Sequence, residues 1–152
     1  MAPLIILLVS FGLLSAVNKY LLKGKFGLSL IGRISMALML MATGIAHFTS
    51  TDLMVEMMPA FLPAKRETVY FTGICELLAV FGLIWNRTAK LTSVLLIIFF
   101  LSILPANIVG SIKEVRLGGM ENGVMYLLFR VPLQIFFIFW VYYFGIKTNR
   151  EN

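Results

Sequence analysis

A few polar side chains interrupt the long apolar stretches of this 152-residue chain. Glu76 and Arg130 are the charged members of this set. A charge near the middle of a membrane costs at least ~3 kcal/mol unless it is paired or hydrated. We therefore expect these two side chains to face each other, at salt-bridge distance or joined by a neighbouring polar group. The candidate ligand-binding residues are His47, Glu76, Asn107, Arg130 and Gln134.

The residue types in this set suit the recognition of a small molecule. Arg130 supplies directed donors for an anionic or carbonyl oxygen, and Glu76 would hold the guanidinium in place. His47 and Asn107 would complete the recognition, and Gln134 follows Arg130 by one helical turn. The same five residues would also suit a structural network that locks the helices in register with every polar group satisfied internally. A pocket and a structural network both remain open at this point.

Several kinds of chemistry are disfavoured by the residues present. His47 is the single histidine, and a histidine without a second His or Cys nearby makes a poor metal site. Cys75 is the single cysteine, so the chain forms no internal disulfide and no CxxC motif. Paired axial ligands for haem and glycine-rich phosphate loops are absent. We expect no catalytic residue, no metal and no cofactor, and the sequence argues against an enzyme without excluding one.

The elements that position these residues follow from composition. Hydrophobic residues make up 60% of the chain, charged residues 13%, and the mean hydropathy is +0.94. A soluble domain of this size cannot hide so much apolar surface. A helix that spans a bilayer needs roughly 20 mostly apolar residues. Five such segments are predicted, at residues 3–22, 28–48, 69–85, 91–112 and 124–146.

These segments predict an all-α integral membrane protein whose residues 1–152 form one bundle of five transmembrane helices. We expect residues 3–22 to be a retained helix, because the preceding residues lack the basic region of a signal peptide. A short amphipathic helix is predicted between the second and third spans, with Ser50 or Asp52 as its N-cap and Pro59 and Pro63 limiting its far end. It would either anchor the chain at the membrane interface or cover a ligand as a lid.

Two further details concern individual helices. Gly44 and Gly73 are predicted to mark places where helices approach closely, because small residues allow it. Pro105 is expected to kink the fourth span. Arg33 lies near the inner end of the second span, and we expect its side chain to extend to the membrane surface rather than join the polar set.

The charge pattern predicts the orientation and the cell membrane as the location. The formal charge is +6, but the basic residues lie at helix ends and not in one stripe, which argues against nucleic-acid binding. One side of the membrane would carry Lys19, Lys23, Lys25, Arg87, Lys90, Lys147 and Arg150. The other would carry Lys65, Arg66, Lys113 and Arg116. By the positive-inside rule, the N-terminus is outside and the C-terminus inside, in the cytoplasmic membrane if the source is bacterial.

Four short motifs occur in a fixed order along the chain. They are Gly44 to Phe48 (GIAHF), Gly73 to Leu77 (GICEL), Leu104 to Asn107 (LPAN) and Arg130 to Gln134 (RVPLQ). In this order they resemble the DoxX-like family of small membrane proteins. The resemblance implies a four-helix core at residues 28–146, with residues 1–27 as an added helix and turn.

What the resemblance implies about activity is limited. The family is named for a subunit associated with quinone-linked sulfur oxidation and terminal oxidase complexes, and other relatives look like accessory or chaperone-like membrane proteins. The leading hypothesis is an accessory or ligand-binding protein in the lipid bilayer, whose outer-half pocket holds a small amphipathic ligand such as a quinone or lipid-like molecule. The alternative is a structural or assembly protein that holds a membrane protein partner. A proton-coupled transporter is the third hypothesis, although no inverted repeat is evident.

Overall fold

The computed structural model describes residues 2–148, and this part of the chain is helical without a β-strand. Six α-helices follow one another: α1 (Ala2–Tyr20), α2 (Leu28–Thr49), α3 (Thr51–Met57), α4 (Lys65–Ile84), α5 (Asn86–Ile112) and α6 (Leu127–Val141). A 3-10 segment, Met120–Tyr126, leads into α6, and a π-helical turn, Tyr142–Lys147, follows it.

Five helices are long and apolar enough to cross a membrane, as the hydropathy pattern predicts. They are α1, α2, α4, α5 and the stretch Met120–Lys147, whose helix is interrupted by a kink at Gly123. The third and fourth begin four and five residues earlier than predicted, at Lys65 and Asn86. The reason is that polar residues can extend a helix beyond its apolar span, where hydropathy no longer detects it.

The main core lies around α2, which is the most buried of the five long helices. Leu40 of α2, Leu83 of α4 and Phe137 of α6 are all buried in it. Trp140 packs there too, and its Nε1 donates a hydrogen bond of 3.0 Å to the Gly32 carbonyl. This bond ties α6 to α2 at a buried position.

The first helix packs on the rest of the bundle although its outer face is exposed. Leu7 of α1 is fully buried in the main core, and the ring of Phe11 lies 4.9 Å from that of Trp140. The turn into α2 is closed by Asn18, whose side chain makes hydrogen bonds of 2.9 Å and 3.0 Å with the Phe26 backbone.

Arg33 departs from its predicted position at the membrane surface. Its side chain is buried, with Nη1 donating 3.2 Å to the Leu83 carbonyl and Nη2 donating 2.6 Å to Oδ1 of Asn86. Because α4 ends at Ile84, the Leu83 carbonyl belongs to the last turn and lacks a partner within its own helix. Arg33 therefore satisfies a helix end within the bundle, and the prediction that it extends to the surface is wrong. It stays apart from the polar set, as expected.

At the opposite end of the bundle, α3 and residues 113–126 form a cover. Met57 of α3 packs there with Val115, Met120 and Tyr126 in a small cluster separate from the main core. Ser50 precedes α3 as its N-cap residue but makes no capping bond with its side chain. Asp52 lies in the first turn of α3 rather than at its N-cap, so that alternative is wrong. The α5 helix continues through Pro105 to Ile112.

Candidate functional site

A cavity of about 420 Å³ lies beneath this cover. All six helices contribute to its lining, together with Leu117, Gly118 and Met120 of the cover. Four of the five predicted residues line it, each from a different helix: His47 from α2, Glu76 from α4, Asn107 from α5 and Arg130 from α6. The fifth, Gln134, does not line it. We call this space the polar cavity.

Two glycines allow α2 and α4 to approach closely at the polar cavity. A Cβ atom on Gly73 would lie 2.7 Å from Cβ of His47, which is too close for real atoms. A Cβ on Gly44 would lie 2.9 Å from Cδ2 of Leu77 and 3.4 Å from Cβ of Glu76. The contact is therefore reciprocal: Gly73 of α4 packs against His47 of α2, and Gly44 of α2 packs beside Glu76 of α4. The prediction that these glycines mark close helix contact is confirmed.

Glu76 and His47 form one side of the polar cavity together with Thr43. The hydroxyl of Thr43 donates a hydrogen bond of 2.5 Å to Oε2 of Glu76. Nδ1 of His47 lies 2.9 Å from the Thr43 carbonyl and 3.9 Å from Oε2 of Glu76. Because a carbonyl only accepts, Nδ1 carries the proton, which leaves Nε2 as the acceptor of the neutral ring. This side consequently offers acceptors.

Thr43 belongs to the site, although the sequence did not predict it. It precedes His47 by one helical turn, so the two share a face of α2. A threonine in a membrane-type helix often bonds its own backbone, and Thr43 is also within 3.2 Å of the Met39 carbonyl. Thr43 could have been predicted from its position next to Gly44, because a residue beside a close helix contact lies near the opposing helix.

Arg130 and Asn107 form the other side. Nη2 of Arg130 donates 3.1 Å to Oδ1 of Asn107, while Nδ2 of Asn107 donates 3.1 Å to the Ile103 carbonyl of its own helix. Within the described chain, the buried Nε of Arg130 has no hydrogen-bond partner. Tyr126, one turn before Arg130, also lines the polar cavity. This side mainly offers donors.

Glu76 and Arg130 do not form the ion pair that the sequence predicts. Over residues 2–148, Arg66 and Asp52 form a salt bridge, and the neutral His47 ring lies 3.9 Å from Oε2 of Glu76. No single polar group joins Glu76 to Arg130 either, since each bonds a neighbour on an adjacent helix. The two side chains share the polar cavity but do not touch, and the prediction of a direct or bridged pair is wrong.

Gln134 is buried elsewhere between α6 and α5. Its Nε2 donates 2.7 Å to the Phe100 carbonyl, and its Oε1 has no partner within the described residues. One turn along α6 from Arg130, it lies beyond the polar cavity and packs against the middle of α5. Sequence spacing alone placed it with Arg130, whereas the neighbouring helix determines what it contacts.

The cover closes over the polar cavity through methionines. Met54 and Met57 of α3 and the adjacent Met58 line it. Within the cover, α3 is held at two points: Arg66 of α4 bonds Asp52 at the start of α3, and Nζ of Lys113 donates 3.0 Å to the Glu56 carbonyl at its end. Ala2, Pro3 and Ile6 add the start of α1, which the sequence analysis placed outside the core.

These features define a class of protein, a helical bundle with a partly open polar cavity under a short helical cover. The sequence profile of DUF8561, a domain of unknown function, matches residues 36–145, and the chain belongs to this family. The matched region runs from α2 to the π-helical turn and contains all four of the predicted residues that line the polar cavity. No curated protein and no solved structure matches the chain.

Proposed function

We propose that this chain is a multi-pass membrane protein that binds a small amphipathic molecule in the polar cavity. One observation carries the proposal: polar side chains from four helices meet around a partly open cavity of about 420 Å³. Small-molecule sites typically occupy roughly 300–1,000 Å³ and combine apolar walls with a few convergent polar groups. A purely structural network would need no such volume, because its members could close on one another.

The proposed membrane location rests on the apolar outer surface. Leu13, Phe71, Phe81 and Leu128 each expose more than half of their surface, with Phe81 and Leu128 at 72%. Soluble monomers rarely expose large continuous apolar patches. The basic residues favour an outer N-terminus and an inner C-terminus, although Arg150, one of those counted, lies outside the described residues. The polar cavity would then face the outer half of the bilayer.

In this arrangement α3 would lie at the outer interface. Its methionines would face the ligand, and its ionic contacts would lie toward the headgroups. Methionine side chains are flexible and adapt to irregular partners. We therefore favour the lid over the surface anchor as the role of α3.

The kind of ligand and the wider role are part of the same proposal. The four ordered motifs still support kinship with the DoxX-like proteins, and that kinship would suit an accessory protein that holds a quinone or lipid-like molecule. The membrane protein partner that such a role would involve is also proposed on this ground. Autonomous catalysis is not required by any part of the proposal.

One observation favours the structural alternative. The bond from Thr43 to Glu76 joins α2 to α4, and the bond from Arg130 to Asn107 joins α6 to α5. Such bonds between helices help to hold membrane bundles in register. In a structural or assembly protein the polar residues would serve only to form these bonds. Removing the bonds would then lower stability without loss of any bound molecule.

Native mass spectrometry of the protein purified in lipid nanodiscs tests the proposal. We expect a small molecule to be retained by the wild type and by Arg116→Met, an exposed control position, and to be lost from Arg130→Met. A wild type without a retained molecule, which also fails to bind any added amphiphile, would contradict it. Loss of thermal stability in Arg130→Met with full retention of the molecule would favour the structural alternative.

A further inference from the structure

We propose that the ligand has one polar end that carries both an acceptor oxygen and a proton-donating group, attached to an apolar tail. This inference rests on the proposed function and specifies the chemical class of its ligand. It follows from the way in which donors and acceptors are separated on the two sides of the polar cavity.

The donor side requires an oxygen from the ligand. A guanidinium has five N–H donors and no acceptor. Arg130 donates to Oδ1 of Asn107 and also interacts with the side chain of Tyr126. Its buried Nε lacks a partner within the described chain. Asn107 does not relieve this shortage, because its Oδ1 already accepts the bond from Nη2 and its Nδ2 is itself a donor, directed to the Ile103 carbonyl. A buried unpaired donor is unfavourable, so a carbonyl or similar oxygen of a ligand is the group that completes this side.

The acceptor side requires a donor from the ligand. A carboxylate accepts through two oxygens, and Glu76 receives one short bond, from Thr43. His47 does not supply a second strong bond, because its Nδ1 is directed to the Thr43 carbonyl and lies 3.9 Å from Glu76. Nε2 of the neutral His47 ring is likewise an acceptor. A hydroxyl or ammonium group of a ligand is what this side lacks.

One ligand must meet both requirements, because Glu76 and Arg130 do not pair with each other. A simple anion would satisfy Arg130 and place a like charge near Glu76. A simple amine would satisfy Glu76 and leave Nε of Arg130 without an acceptor within the described chain. A buried polar group that lacks a hydrogen-bond partner is unfavourable. A ligand with both functions lies between the two side chains and satisfies each of them.

The remaining walls select an apolar tail. Ile6, Ile103 and Leu133 line the polar cavity together with Met54 and Met57 of the cover. None of these side chains can bond a second polar group. The volume of about 420 Å³ suits one short chain beside the polar end and is too small to contain a full two-chain phospholipid.

A series of matched probes tests this inference by calorimetry on the full chain in nanodiscs. N-methyl-N-(2-hydroxyethyl)decanamide carries a carbonyl and a hydroxyl, N-methyl-N-ethyl decanamide keeps the carbonyl and has no proton donor, and dodecanol has a hydroxyl but no carbonyl. We expect the first to bind the wild type at least about tenfold more tightly than either of the others, since each buried bond to a charged group is worth about one decade in affinity.

Two variants assign the contacts. In Glu76→Gln the preference for the hydroxyl should shrink, and in Arg130→Met the preference for the carbonyl should shrink, while Arg116→Met should behave as the wild type. If either variant fails to fold, the probe series on the wild type decides. An ammonium probe, N-methyl-N-(2-aminoethyl)decanamide, distinguishes a charged donor from the neutral hydroxyl.

The failures of the two proposals are distinguishable. Equal affinity of the wild type for all the amphiphiles would overturn this inference and leave the binding function in place. Binding of none of them, together with the absence of a retained molecule, would overturn both.

Discussion

Gly73 shows how a single residue determines the geometry of the polar cavity. Without a side chain, it lets His47 lie directly against α4, which brings the His47 ring within 3.9 Å of Glu76. Gly44 likewise lets Leu77 and Glu76 of α4 lie directly against α2. The acceptor side of the polar cavity therefore depends on two residues that carry no functional group.

Gly73→Ala should destabilise the bundle by about 1–3 kcal/mol, because the added methyl meets Cβ of His47 and forces α2 and α4 apart. The free energy of unfolding by SDS in mixed micelles measures this. Gly12→Ala in α1 is the matched control, since a Cβ there has no neighbour within 4 Å and alanine favours the helix. Equal effects of the two substitutions would argue against the close packing described.

Arg33→Met should lower the free energy of unfolding by roughly 1.5–3 kcal/mol, because it leaves the Leu83 carbonyl and Asn86 without their charged donor. Ligand binding should be unchanged, since Arg33 does not line the polar cavity. The exposed Lys90→Met, at the same end of the bundle, serves as the control. A variant as stable as the wild type would mean that Arg33 is not needed at this helix end.

At the scale of elements, the cover is distinct from the bundle on which it lies. Its buried residues form their own small cluster, and α3 is held through Arg66 at its start and Lys113 at its end. Both contacts are exposed, so each contributes little to stability. Segments with few buried contacts open more easily than core helices. We therefore expect a ligand to enter the polar cavity when the cover opens.

Lys113→Met should loosen the cover without weakening the bundle. The substitution removes the donor to the Glu56 carbonyl, and amide hydrogen exchange in Thr51–Met57 should become about two- to fivefold faster. Exchange in α2 and α4 should stay the same. Arg116→Met provides the control, because Arg116 is an exposed cation on the same connection. Faster exchange throughout the bundle would show that the cover and the core open together.

For the whole molecule, the helix directions place the two polar regions at opposite ends. Arg33 joins the ends of α2, α4 and α5 on one side, while the polar cavity and the cover occupy the other. The orientation in the membrane therefore decides whether a ligand would arrive from the outside or from the cytoplasm. Basic residues are in excess at the end of the bundle that carries Lys23, which predicts that this end is cytoplasmic. The polar cavity, at the other end, would then receive a ligand from the outside.

Cysteine labelling of intact cells tests the orientation. In a Cys75→Ser background, Glu121→Cys should react with a membrane-impermeant maleimide in intact cells, and Lys23→Cys should react only after lysis. Both positions are exposed, so both should react in lysed cells. The reverse pattern would place the polar cavity on the cytoplasmic side.

By itself the sequence determined the helices and the depth of the polar residues. Length and hydropathy predict five long helices, because each apolar run must satisfy its backbone internally. Alternating chain direction then brings His47, Glu76, Asn107 and Arg130 to one end of the bundle, where all four line the polar cavity. Depth along a helix follows from residue number at a fixed rise, so no tertiary information is needed.

Only the tertiary structure decided which of these groups touch. Thr43 rather than Arg130 bonds Glu76, Asn107 is the partner of Arg130, and Gln134 turns to the Phe100 carbonyl. Arg33 likewise bonds a helix end that no local pattern indicates. The physical reason is rotation about the helix axis. Where a helix is apolar on nearly every face, its pattern does not specify which face meets a neighbour, and close packing at residues such as Gly44 and Gly73 sets that angle instead.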